Sequence, residues 1–158
     1  MPVSVGDSRT ARLPRSCRIR ARSWKSAPRR RHYVAVPARI VVCDDQPAFR
    51  KIVSTVLGLE PGLEVVGEAA DGQQAIDLVT SLKPDVLVLD IAMPVMDGLE
   101  ALPHIRLRSP GTKVVMLTGV SNDATRERAL AAGAFLFLEK GTDIQEVVRE
   151  VVALSKGD

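Results

Sequence analysis

Residues 86–98 read VLVLDIAMPVMDG: the apolar run Val86–Leu89 stops at Asp90, and a loop containing Pro94 and Gly98 follows. A short run of β-branched and large apolar residues fits a strand buried on both faces of a parallel sheet. Working outward, residues 40–43 and 64–68 upstream, and 114–117 and 134–138 downstream, have the same character, which gives five expected strands. Residues 47–57, 72–82, 99–108, 122–132 and 143–155 carry apolar side chains at three- and four-residue spacing, the mark of amphipathic helices. Strands alternating with helices predict an α/β fold, a five-stranded parallel sheet wound with helices. Pro61-Gly62, Lys83-Pro84, Ser109-Pro110-Gly111 and Gly133 fall between elements, where Pro and Gly stop helices and permit turns. Pro103 is discordant: inside the third helical segment, it should bend that helix or delay its regular start.

The 158 residues, 46% of them apolar, suffice for one domain with a hydrophobic core. The net charge of +3 conceals two opposed regions. Residues 1–38 hold nine Arg and one Lys against Asp7, a net of +9, while residues 39–158 hold 12 basic and 18 acidic side chains, a net of −6. The first stretch mixes Arg, Ser and Pro without apolar periodicity, so a disordered basic tail (1–38) is expected ahead of the folded domain (39–158). Its ten basic residues with Trp24 and Tyr33 would touch nucleic acid only weakly and non-specifically. No apolar run approaches a membrane span and no secretory h-region opens the chain, so a soluble cytoplasmic protein without membrane partners is expected. Cys17 lies in the basic stretch and Cys43 ends an apolar run, so no disulfide is anticipated.

In an open parallel sheet the functional crevice lies beyond the carboxyl ends of the strands. Asp44 and Asp45 follow the first run, Asp90 the third, Thr118 the fourth and Lys140 the fifth. Any one acid there reads by default as a helix cap or a solvated loop residue. Together, three carboxylates, a hydroxyl and an ammonium converge on one edge. Like charges ~4 Å apart repel by about 4 kcal/mol at an effective dielectric near 20, so the three acids call for a compensating cation. Oxygen donors with few protein ligands suit Mg²⁺, and Mg²⁺ beside a nucleophilic carboxylate points to aspartyl-phosphate chemistry.

The segments VVCDD (41–45), LVLDIAMPVMDG (87–98), MLTG (116–119) and FLEK (137–140), in order and in register, resemble the receiver domains of two-component response regulators. The resemblance implies a doubly wound flavodoxin/CheY-like (βα)5 fold across about residues 39–155. It also implies that Asp90 accepts a phosphoryl group, with Asp44, Asp45, Asp90 and the Ala92 backbone carbonyl holding Mg²⁺. Thr118 and Lys140 would then contact the phosphate, Gly119 would leave it space, and Phe137 would be the aromatic that swings inward with Thr118. Phe137 reads equally well as plain core, while Met93, Met96 and Leu99 read as packing beneath the loop, and Pro94 and Gly98 as turn residues shaping it. The chain departs from the family pattern in three places: Gly141 where a proline often follows the lysine, and Ala92 and Val120 at positions that influence water access, neither able to hydrogen-bond a water. Slow autodephosphorylation is therefore expected.

The implied partners are a sensor histidine kinase or phosphotransfer protein and a downstream effector protein, reached through the face formed by the fourth helix, fifth strand and fifth helix. A homodimer through the fourth and fifth helices is compatible with the family. Because the chain stops at Asp158, directly after the fifth helical segment, a stand-alone switch is expected rather than an enzyme. A carboxylate-nucleophile phosphatase would need a second acid two residues past the nucleophile, where Ala92 stands. A receiver-like interaction module working without phosphorylation is the alternative reading.

Overall fold

The structure, a computed structural model, describes residues 36–119 and 122–157. Five strands and five helices alternate: β1 (Ala38–Cys43), α1 (Pro47–Gly58), β2 (Leu63–Ala69), α2 (Gly72–Leu82), β3 (Val86–Leu89), α3 (Gly98–Arg108), β4 (Lys113–Thr118), α4 (Asp123–Ala131), β5 (Leu136–Glu139) and α5 (Ile144–Ser155). The sheet order is β2-β1-β3-β4-β5 and every pairing is parallel. The expected α/β architecture is present, and residues 1–35, with most of the expected tail, lie outside the described residues.

Alternation along the strands divides the core in two. Val41, Cys43, Leu87, Leu89, Val114 and Met116 pack against α2, α3 and α4. Ile40, Val42, Val86, Val88, Val115 and Leu117 pack against Val53 and Leu57 of α1 and Val147, Val148 and Val151 of α5. Strands covered on both faces have no polar side, which is why the sequence runs read as continuously apolar. Chain order reverses between β1 and β3, since β2 lies on one side of β1 and β3 on the other. A crevice opens at such a switch point, beyond the carboxyl ends of the two strands.

At the opposite edge the backbone is tied shut. Asp85 accepts from the Arg39 amide through its carboxylate at 2.7 Å and donates its own amide to the Arg39 carbonyl at 2.8 Å. Thr112 Oγ1 donates to the Pro84 carbonyl at 2.7 Å, and Arg106 donates to the Thr112 carbonyl at 2.9 Å.

Two expectations need correction. Helix α3 starts at Gly98 and continues past Pro103, so the proline does not delay its start. Its first turn is nucleated by a capping box in which Asp97 accepts from the Glu100 amide and Glu100 accepts from the Asp97 amide. Pro103 itself is exposed. Strand β5 begins at Leu136 rather than at Ala134, because the Ala134 amide donates to the Ala129 carbonyl and closes α4. Gly133, at φ +101°, makes the left-handed turn that this closure requires. Among the described residues no helix is long and apolar enough to cross a membrane.

Candidate functional site

The crevice holds the residues that the sequence placed at strand ends. The Asp44 amide donates to the Ala69 carbonyl at 3.0 Å and the Asp90 amide to the Cys43 carbonyl at 2.9 Å, so the sheet ladder continues one residue past β1 and β3. Likewise the Lys140 amide donates to the Thr118 carbonyl at 2.9 Å, tying the ends of β4 and β5. Asp44, Asp90 and Thr118 are buried and Asp45 is half-buried. One carboxylate oxygen from each of Asp44, Asp45 and Asp90 lies within 4.8 Å of the others.

Lys140 Nζ bridges two of these acids, 2.7 Å from Asp44 Oδ2 and 2.9 Å from Asp90 Oδ2. The remaining oxygens of the pair are also engaged: Asp44 Oδ1 accepts from the Gln46 amide at 2.8 Å and Asp90 Oδ1 from the Ile91 amide at 2.7 Å. Burial pushes the Asp44 carboxyl above its ordinary pKa; Lys140 and the Gln46 amide act against this, while the Asp90 charge adds to it. Burial works against the Lys140 charge, but hydrogen bonds and charge from Asp44 and Asp90 outweigh it, and the net shift is upward. Lys140 is thus held as an ammonium.

The donor set fits a hard divalent cation. Three carboxylates face one ammonium, which leaves an excess of two negative charges. Among the described residues no hydrogen bond or ion pair engages Asp45 or the Ala92 carbonyl, so both oxygens are available. An oxygen-only set with few protein donors suits Mg²⁺, which retains waters in its shell.

Several neighbours were not legible in the sequence as parts of this site. Phe49, at the third position of α1, presents its ring 4.7 Å from Lys140 Nζ. Arg50 donates to the Asp44 backbone carbonyl and to Glu68 Oε2. Cys43 donates to the Asp71 carbonyl at 3.3 Å and lies 3.5 Å from Met93 Sδ; burial holds its thiol well above its ordinary pKa. The cue for Phe49 and Arg50 was their spacing of four and five residues beyond Asp45, which places them on the first turn of α1.

The loop after Asp90 uses Pro94 in its turn, as expected, but Gly98 has another role. Its left-handed residue is Val95, at φ +69°, and the Met96 amide donates across it to the Pro94 carbonyl at 2.8 Å. This is a γ-turn, strained for a β-branched residue. Gly98 instead serves close packing: a Cβ there would lie 2.0 Å from the Asp90 carbonyl oxygen. Met93, Met96 and Leu99 pack against the core as expected.

Phe137 is buried, and the Arg126 guanidinium lies 6.0 Å from its ring centroid. A Cβ at Gly119 would make only ordinary contact, 3.9 Å from Lys140 Cδ. No cis peptide occurs among the described residues, so Lys140 reaches both acids with a trans bond to Gly141. Val120 lies outside the described residues.

Comparison with known proteins gives a consistent answer. The family model for the response regulator receiver domain matches residues 40–152. A protein-glutamate methylesterase/protein-glutamine glutaminase of Alkalilimnicola ehrlichii is 42% identical over 130 residues, covering 75% of this chain and 33% of that protein. A second, from Pseudomonas fluorescens, is 43% identical over 104 residues, covering 65% and 27% respectively. The chain therefore spans a third or less of the length of these curated relatives. Among solved structures, the signal receiver domain of the putative response regulator NarL from Mycobacterium tuberculosis superposes with a TM-score of 0.73 at 38% identity, covering 77% of this chain and 98% of that one. The response regulator domain of Thermotoga maritima CheB gives 0.68 at 31% identity, covering 76% and 94%.

Proposed function

This chain belongs to the response regulator receiver domain family, and on that premise we propose that it is a phosphorylation-dependent signalling switch whose acceptor is Asp90. The observation that carries the reading is the buried Asp90 carboxylate, 2.9 Å from Lys140 Nζ and clustered with Asp44 and Asp45. In the transfer, an Asp90 oxygen attacks the donor's phosphorus as the bond to the donor's leaving atom breaks, giving an acyl phosphate. On a histidine kinase or phosphotransfer protein that leaving atom is an imidazole nitrogen.

Asp44, Asp45, Asp90 and the Ala92 carbonyl would hold Mg²⁺, which supplies positive charge to the phosphoryl oxygens when bound. Lys140 exchanges its bond to Asp90 for one to a phosphoryl oxygen, and the Thr118 hydroxyl donates a second hydrogen bond. Charge-assisted bonds contribute about 1.5 to 3 kcal/mol each. Two of them approach the ~5.5 kcal/mol that moves a two-state equilibrium from 1:99 to 99:1. The change passes outward along β4 and β5 to the face made by α4, β5 and α5, where Phe137 and Arg126 meet and a downstream effector binds.

Intact mass with Mg²⁺ and acetyl phosphate tests the assignment. Wild type should gain one phosphoryl group, about 80 Da, and Asp90→Asn should gain none. A wild-type chain left unmodified, even with candidate kinases supplied, would favour the interaction module that works without phosphorylation.

A further inference from the structure

Among the described residues the Lys140 ammonium faces three groups, two of them acids. Its Nζ lies 2.7 Å from Asp44 Oδ2, 2.9 Å from Asp90 Oδ2 and 4.7 Å from the centroid of the Phe49 ring. A cation within ~6 Å of a ring centroid is attracted by the negative face of the π system, and more strongly where water is excluded. The Lys140 side chain is only 14% exposed. The ring is also well anchored. Pro47 opens α1, the Gln46 amide is held by Asp44, Arg50 donates to the Asp44 carbonyl, and Phe49 packs on the α1–α5 side of the core.

We propose that Phe49 is a positioning residue for phosphoryl transfer, its ring face holding the Lys140 ammonium in the site while that ammonium exchanges carboxylate partners for a phosphoryl oxygen. This rests on the reading of Asp90 as acceptor. Hydrogen bonds to Asp44 and Asp90 are directional and must be given up one at a time as phosphate arrives. The attraction of a cation to a ring face is broad, so Nζ can shift by an ångström or more and keep it. A leucine would fill similar space without a charge-attracting face.

Two measurements on the full-length chain test the idea. The first needs neither metal nor phosphate: the Lys140 ε-methylene protons, assigned by their loss in Lys140→Arg, should be shifted upfield by the ring in wild type and return to the usual lysine position in Phe49→Leu. An unshifted wild-type resonance overturns the proposal. The second is the second-order rate constant for phosphorylation by acetyl phosphate with Mg²⁺, read by intact mass. Phe49→Leu should slow it roughly three- to tenfold, Phe49→Tyr should restore it, and site-specific fluorination of Phe49 should lower it stepwise as fluorine drains charge from the ring face. A flat fluorine series, or an unchanged Phe49→Leu, in a chain whose wild type is phosphorylated overturns the role of Phe49 alone. A wild type that gains no mass sinks the acceptor reading beneath it, and this is seen before any change at position 49.

Discussion

Positions 95 and 98, after Asp90, respond in opposite ways to a Cβ substituent. At Gly98 a Cβ would sit 2.0 Å from the Asp90 carbonyl oxygen, a backbone atom with nowhere to go. Gly98→Ala should therefore destabilise by about 1 to 3 kcal/mol, the usual range for overpacking, and slow phosphorylation by displacing Asp90. Urea unfolding and the acetyl phosphate assay check the two effects separately. Val95 is the reverse case. It is 86% exposed and holds φ +69°, so its side chain contributes strain and little packing. Val95→Gly should stabilise by about 1 kcal/mol, since a left-handed L-residue costs roughly 1 to 2 kcal/mol and glycine gives back part of that as chain entropy. A lower urea midpoint than wild type would contradict this. Neither role was visible in the sequence: a Met-Pro-Val-Met-Asp-Gly run announces a turn without saying which residue bears the positive φ. Asp44, Asp45, Asp90, Thr118 and Lys140 were legible because each ends an apolar run, whereas Phe49 and Arg50 sit on a helix whose rotation only the fold sets.

The helices differ sharply in how they are anchored. Helices α1, α2, α3 and α5 each bury three or four side chains, while α4 buries only Ala129. Its start is held by Asn122, which accepts from the Thr125 amide at 2.8 Å. With so little apolar contact, α4 should open at low free energy, and its amides should exchange with deuterium fastest of the five helices. Protection in α4 equal to that in α3 would contradict the expectation. Strand and helix identities were readable because periodicity reports burial, and the boundaries fell within a residue or two. What escaped is local hydrogen-bond competition: Ala134 looks like strand but its amide closes α4, and Pro103 looks disruptive but follows a capping box. The register shift between Ile40 and Val41, where β2 gains a residue against β1, has no marker in sequence.

At the scale of the molecule, the two ends of the strands are built differently. One end is closed by paired hydrogen bonds around Asp85, and the other gathers three carboxylates around one ammonium. In metal-free protein this has a defined pH signature. Burial and the Asp90 charge hold the folded pKa of Asp44 above its unfolded value, so the folded state binds more protons between the two. The stability Asp44 contributes is then complete below the unfolded pKa and is lost as pH rises through the folded one. Lys140, also raised, keeps its contribution through neutrality and loses it only as pH climbs past its own folded value. Urea midpoints with a chelator present should therefore fall in wild type relative to Asp44→Asn as pH rises above the ordinary carboxylate range; a difference independent of pH would count against the burial of that carboxyl. The sheet and its crevice followed from the order of elements, whereas the burial of each acid depends on how the helices pack over the strand ends, which the order of elements does not reveal. Covalent attachment gives the Lys140 bridge a further property. A dissolved cation competes on its bulk concentration, but a tethered one keeps the same effective concentration however dilute the solution. The crevice is therefore never without a counter-ion of its own, and an incoming ion has to exceed a threshold written into the length of a lysine side chain.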